Sequence, residues 1–181
     1  MATPYGHALA GLGLLNLWFY PSHERRPLTL YGWVVLGACL PDLDFIPGLL
    51  MGQGGRFHHG ISHSLGLVLA ASMLLWVVMG LQYKSLNFFR MGGLVFCLTI
   101  SHLLLDFFTE SPKGFPLFWP LTESSFRSPL PIFPRVERSW GHPQLRDQAW
   151  LCFWVETFLL APLWITSLRY SGQKPFRMEI K

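Results

Sequence analysis

The sequence predicts an all-α fold, a multi-pass transmembrane helical bundle in which residues 1–181 form a single integral-membrane domain. Hydrophobic residues make up 51% of the chain and charged residues only 13%, whereas an ordinary soluble domain has about 25% charged residues. The chain also contains 8 tryptophans, a residue enriched at membrane–water interfaces. Five apolar segments follow one another along the chain, and several reach the roughly 17–25 residues that a helix needs to cross a bilayer.

The five segments differ in how well they fit a bilayer. The first, from about Tyr5 to Tyr20, is short for a complete span. The second, from about Leu30 to Leu50, is expected to break near Pro41, because proline ends or kinks a helix close to its own position. The other three have spanning length, and they run from about Ile61 to Leu81, from about Met91 to Phe108 and from about Ala149 to Leu168.

A long connection, residues 109–148, separates the fourth and fifth segments. It contains seven prolines and many aromatic residues, so it is too apolar for a solvated linker. Long loops without secondary structure are usually functional. We therefore expect this loop to lie as a flap on the bundle or at the lipid interface, where tryptophan is favoured.

The distribution of basic residues predicts the orientation in the membrane. Two short connections and the C-terminal stretch fall on one side, where they carry Arg25, Arg26, Lys84, Arg90 and further basic residues near the C-terminus. Because short loops rich in Lys and Arg stay in the cytoplasm, we expect the C-terminus inside and the N-terminus outside a cell (inner) membrane. The chain has no basic stripe interleaved with base-stacking aromatics, so membrane lipid rather than nucleic acid is the expected partner.

Histidines and aspartates collect on the outer side of this topology, which was derived from Lys and Arg alone. A lone histidine in an apolar helix is more often a hydrogen-bonded core residue, and a lone aspartate before a loop is usually a cap. A cluster is different, because ionisable groups at membrane depth are costly and usually mark function. Imidazole and carboxylate ligands together suit zinc and similar divalent ions. The candidate metal ligands are His7, Asp42, Asp44, His58, His63, His102 and Asp106.

The spacing of the acidic residues refines this hypothesis. His102 and Asp106 are four residues apart, so a helix presents both on one face, and Glu110 continues the row if the helix persists. Asp42 and Asp44 would diverge on a regular helix, but a broken helix lets both turn inward. Asp44 and Glu110 are also the candidate catalytic residues, because a carboxylate that does not bind metal can accept a proton from water.

These residues lie in sequence blocks that resemble the YdjM-like family of membrane-bound metal-dependent hydrolases, which is linked in bacteria to the LexA regulon. In the third block the family usually reads H-R-G-x-T-H-S, whereas here His59 replaces the arginine and Ser62 the threonine. The departure leaves open whether His59 is an additional ligand. The matching blocks are GHALAGLG at 6–13, LPDLDFIPG at 40–48, FHHGISHSLG at 57–66 and SHLLLDFFTESPKGFPLFWPLTE at 101–123.

The order of the candidate ligands along the chain is similar to that in zinc-dependent phospholipase C and the P1-type nucleases. Those are helical proteins with a multi-zinc phosphodiesterase site. This second resemblance rests on ligand order alone. It implies a divalent metal, zinc as one or two ions, and a phosphoester substrate.

Together these observations favour a membrane-embedded metal-dependent hydrolase with its site near the outer face. A phospholipid or a lipid-linked phosphate is the expected substrate, because the site opens at headgroup depth beside an aromatic flap. Two alternatives remain open. Intramembrane Asp and His also form ion or proton pathways in transporters, although here the acidic residues cluster at one face. A non-catalytic metal- or haem-binding protein is the other alternative, with His63 and His102 as the haem ligands.

Overall fold

The computed structural model describes residues 2–19, 26–53, 57–84, 86–136 and 143–170, and regular structure within them is helical. Two isolated β-bridges, Thr109 with Phe133 and Phe115 with Phe126, are the exceptions in this part of the chain. Short 3-10 helices cover Leu40–Asp44 and Ile61–His63. The α-helices are α1 (Pro4–Trp18), α2 (Leu28–Ala38), α3 (Phe45–Leu50), α4 (Leu65–Gln82), α5 (Phe88–Phe107) and α6 (Leu145–Tyr170).

The predicted membrane bundle is confirmed. Helices α4, α5 and α6 are long and apolar enough to cross a bilayer, and α2 with the following residues to Leu50 forms a fourth candidate span bent by 66°. The bend lies at the expected place, because α2 ends at Ala38 and a 3-10 helix containing Pro41 follows it. Helix α1 has 15 residues and is therefore about 22 Å long, which is short of the hydrocarbon thickness.

Short helix α1 packs mainly against α6, α2 and α5. Close approach to α2 depends on Gly11, because a Cβ at that position would lie 2.9 Å from the Cβ of Ala38. Small residues at such contacts let membrane helices approach closely and gain dispersion energy. This packing leaves the start of α1, with His7, beside the end of α2 and the second half of α5.

Capping interactions fix where α4 and α5 begin, and so they position the helix ends near the candidate ligands. The Ser64 hydroxyl accepts a hydrogen bond from Leu67 N at 3.2 Å and so starts α4 immediately after the 3-10 turn that holds His63. Helix α5 begins at the opposite end of the bundle, where the side chain of Asn87 accepts from Arg90 N at 2.9 Å. The two helices are thus antiparallel neighbours, and the start of α4 meets the end of α5.

The described part of the long connection lies on the bundle, as expected. Leu65 N donates to Leu117 O at 2.8 Å, and Glu110 N donates to Phe133 O at 2.9 Å. Phe115 is 1% exposed and packs with Val68 and Leu103. The loop therefore covers the end of the bundle at which α4 begins and α5 ends.

Candidate metal centre

Four side chains from three separate elements converge at this covered end. Asp42, His63, His102 and Asp106 each offer one ligand atom, and these atoms lie within 4.8 Å of one another. Asp106 Oδ2 lies 3.2 Å from His63 Nε2 and 3.3 Å from His102 Nε2, and the two Nε2 atoms are 3.3 Å apart. Zinc ligands at about 2.0–2.2 Å from one ion lie roughly 3–4 Å from each other, so the spacing fits a single divalent ion.

The break after α2 orients the His102 ring. Pro41 has no N–H, and Asp42 N donates to Cys39 O at 3.1 Å in the 3-10 turn, so neither continues the helix ladder. The carbonyl oxygen of Ala38 is left for His102 Nδ1, at 2.8 Å. Because a carbonyl only accepts, Nδ1 donates this hydrogen bond, and Nε2 faces the centre. The same break brings Asp42 to within 3.6 Å of that Nε2.

Asp44 contacts the Nδ1 atoms of His58 and His63, on the side of each ring opposite Nε2. Its Oδ1 lies 2.6 Å from His58 Nδ1, and its Oδ2 lies 3.3 Å from His63 Nδ1 and also accepts from Ser62 Oγ. His63 Nδ1 is 3.0 Å from the same hydroxyl. Carboxylates that hold the outer nitrogen of a metal-ligating histidine fix its orientation and raise its basicity. Asp42 and Asp44 thus meet opposite edges of the His63 ring.

A second group, His58, His59 and His63, adjoins the first and shares His63 with it. His58 Nε2 lies 3.6 Å from Asp42 Oδ1, and His59 Nε2 lies 3.4 Å from Asp106 Oδ2. The sequence left the role of His59 open, and the structure brings it to the centre. Its φ of 61° is in the left-handed region, which residues with a side chain seldom adopt and which clusters at functional sites.

His7 reaches the same centre from α1. Its ring stacks on that of His102, with centroids 3.8 Å apart and an angle of 15° between the planes. Its Nε2 lies 3.5 Å from Asp106 Oδ1 and 3.9 Å from Asp42 Oδ2. The side chain is 1% exposed, so this nitrogen faces the centre and not solvent.

The centre contains buried polar atoms that a cation would satisfy. Both ring nitrogens of His7, both carboxylate oxygens of Asp42 and Oδ2 of Asp106 lack a hydrogen-bond partner among the described residues. Buried polar groups without partners are rare and costly. Burial lowers the pKa of His63, but the neighbouring carboxylates of Asp106, Asp42 and Asp44 outweigh it and hold that pKa well above its usual value. The donor set and its preference for positive charge therefore fit a divalent metal.

Glu110 lies apart from both groups. Helix α5 ends at Phe107, so the row of His102 and Asp106 is not continued to this residue. Its side chain is exposed, and its backbone N–H is bound to Phe133 O. The third apolar segment opens with a 3-10 turn that contains His63, and α4 follows it.

Glu156 is a buried carboxylate that the sequence reasoning overlooked. It lies in α6, is 1% exposed, and accepts hydrogen bonds from the backbone N and the hydroxyl of Thr3. The neighbouring Ala2 N donates to Asp106 Oδ1 at 3.0 Å. Glu156 thus holds the chain that leads into α1 against the centre. Its position as an acidic residue within an apolar segment was the signal that could have identified it.

Comparisons with known proteins agree with a membrane location. The profile of the YdjM inner membrane protein family matches residues 1–171. The inner membrane protein YbcI of Escherichia coli (strain K12) is 27% identical over 177 residues, which cover 91% of this chain and 98% of that protein. No solved structure matches.

Proposed function

The chain belongs to the YdjM inner membrane protein family, and from this premise we propose that it is a membrane-embedded metal-dependent hydrolase of phosphoesters. A phospholipid or a lipid-linked phosphate is the proposed substrate. The observation that carries the proposal is the convergence of Asp42, His63, His102 and Asp106, whose ligand atoms lie within 4.8 Å of one another. Both carboxylate oxygens of Asp42 and Oδ2 of Asp106 have no hydrogen-bond partner among the described residues.

In this proposal Asp42, His63, His102 and Asp106 hold a divalent ion, with zinc preferred by the imidazole and carboxylate donors. When bound, the metal lowers the pKa of water and stabilises charge on a phosphoryl group. His7, His58 and His59 flank the set. Because the group of three histidines shares His63 with it, a second ion requires shared ligands.

Two further residues act around the proposed ion. Asp44 lines a cavity together with His58 and His59, and in this proposal a substrate and a water molecule approach through that cavity. It both fixes the histidine rings and serves as the proton acceptor. Phe115 excludes water on another side, because its ring centroid lies 5.7 Å from that of His59 and 5.9 Å from that of His63.

Metal analysis of the protein purified in mild detergent tests this proposal. We expect bound zinc or a similar divalent ion, loss of the ion and of phosphoesterase activity together after chelation, and recovery of both when metal is returned. Protein that contains no metal and does not rebind it after dialysis would contradict the proposal. Cation- or proton-coupled uptake by vesicles, without hydrolysis of any phosphoester, would indicate a transporter.

A further inference from the structure

An apolar cleft adjoins the metal centre. Its volume is about 260 Å³, and its walls come from the chain that follows α2 and from the first turns of α4. Its polar lining residues are Asp44, Ser62 and Thr99. The apolar wall is formed by Leu40, Pro41, Leu67, Val68 and Ala71.

A second, more polar cavity meets this cleft. It has a volume of about 470 Å³ and is lined by His58 and His59. Asp44, Ser62 and Leu67 line both spaces. The apolar cleft and the polar cavity are therefore neighbours, and Asp44 and Ser62 lie between them.

The surroundings of the two spaces are apolar as well. The apolar wall of the cleft belongs to the bent candidate span and to α4, which is another candidate span. Large apolar side chains nearby are more than a third exposed, although an aqueous entrance would favour polar ones. They are Leu43, Ile46, Phe57, Ile61 and Leu67. Apolar surface at this depth faces lipid rather than water.

We propose that the cleft binds one alkyl chain of a membrane lipid whose phosphate headgroup occupies the polar cavity. The lipid enters laterally from the bilayer, between the chain after α2 and α4. The phosphate at the centre rests on the proposed function. Binding of the alkyl chain in the cleft, called the seat below, can be tested without any turnover. An apolar pocket with a few polar groups at one end is the usual form of a ligand site.

Photo-crosslinking in reconstituted vesicles tests the seat directly. The probe is a phosphatidic acid analogue that carries a diazirine in one acyl chain, and labelled residues are located by mass spectrometry. We expect labelling at Leu67 and Ala71 to exceed the bilayer labelling of Met73 and Leu74, which are 63% and 69% exposed on α4.

A matched pair of neighbouring alanines provides the variant and its control. Ala71→Phe places a ring in the cleft, whereas Ala70→Phe places the same ring on the exposed face of α4. We expect Ala71→Phe to lower the labelling at Leu67 at least several-fold and Ala70→Phe to leave it unchanged. Retained metal shows that the fold survives, and if Ala71→Phe loses its metal, the smaller Ala71→Leu gives the same test.

The outcomes separate this inference from the proposed function. Equal labelling of wild type and Ala71→Phe would overturn the seat, because annular lipid or another copy of the chain would then cover the cleft. Labelling that depends on Ala71 in a protein without phosphoesterase activity would retain the seat and contradict the hydrolase.

Discussion

At the scale of single residues, some side-chain atoms face the proposed metal position and others hold those side chains in place. His102 Nε2 faces Asp106 while its Nδ1 is bound to Ala38 O at 2.8 Å. Asp106 Oδ2 has no hydrogen-bond partner among the described residues although its side chain is fully buried. Both residues should therefore be required for metal binding, and neither is needed for the apolar packing around them.

Substitution of either proposed ligand tests this directly. We expect His102→Ala and Asp106→Asn to lower metal affinity and phosphoesterase activity together. The loss should be at least the roughly 10–100-fold that follows removal of a residue that hydrogen-bonds to a metal ligand. Asp106→Asn keeps the side-chain shape, so excess metal should partly restore the activity of this variant. Leu104→Ala on the lipid-exposed face of α5 is the control. Undiminished activity in both variants would show that this centre does not carry the chemistry.

Asp44 should behave differently from Asp106, because it contacts the outer nitrogens of His58 and His63. Asp44→Asn removes its charge and weakens these contacts while the four converging ligands remain. We expect a loss of roughly 10–100-fold in activity that persists at saturating metal, together with an altered pH profile of turnover. An unchanged pH profile, with activity fully restored by metal, would instead assign Asp44 to metal binding alone.

At the scale of elements, the break after α2 gives the centre both a carboxylate and an orienting carbonyl. Pro41 ends the helix ladder, and Asp42 N then donates to Cys39 O in the 3-10 turn instead of to Ala38 O. Ala38 O is therefore free for His102, and Asp42 turns toward the same ring. A span that continued as one straight helix would recapture that carbonyl.

Restoring the N–H at this break should therefore damage the centre. We expect Pro41→Ala to favour a continuous helix and to lower metal affinity by at least roughly tenfold, while the protein still inserts and purifies as wild type. Pro47→Ala, in the exposed part of α3, is the matched control and should keep its metal. The comparison is read from metal content and helical circular dichroism, and equal metal in both variants would contradict this role of the break.

At the scale of the whole molecule, all converging residues lie at one end of the bundle. Alternation of the spans is sufficient to bring the start of α4 and the end of α5 together, whichever way the bundle is inserted. Which membrane face this end occupies depends on the charge of the connections, through the preference of Lys- and Arg-rich loops for the cytoplasm.

Reporter fusions test the orientation. A fusion after Lys181 should be active only with a cytoplasmic reporter, and cysteine labelling within residues 57–63 should occur from outside. Labelling of a cysteine near Lys84 from the cytoplasmic side serves as the control. An externally accessible C-terminus would reverse the predicted orientation and would leave the geometry of the centre unaffected.

The sequence by itself determined the helical membrane bundle, the short first helix, the break at Pro41 and the elements that supply candidate ligands. These features depend on composition and on neighbouring residues, because hydropathy, proline and capping act over one or two helical turns. Only the tertiary structure decided that Asp42 faces the centre while Asp44 stands behind His58, that His59 joins it, and that Glu110 does not. These roles depend on contacts between distant residues, with Asp44 and His58 separated by 14 positions and Ala38 and His102 by 64. They also depend on the left-handed backbone angle of His59. No local pattern encodes these features.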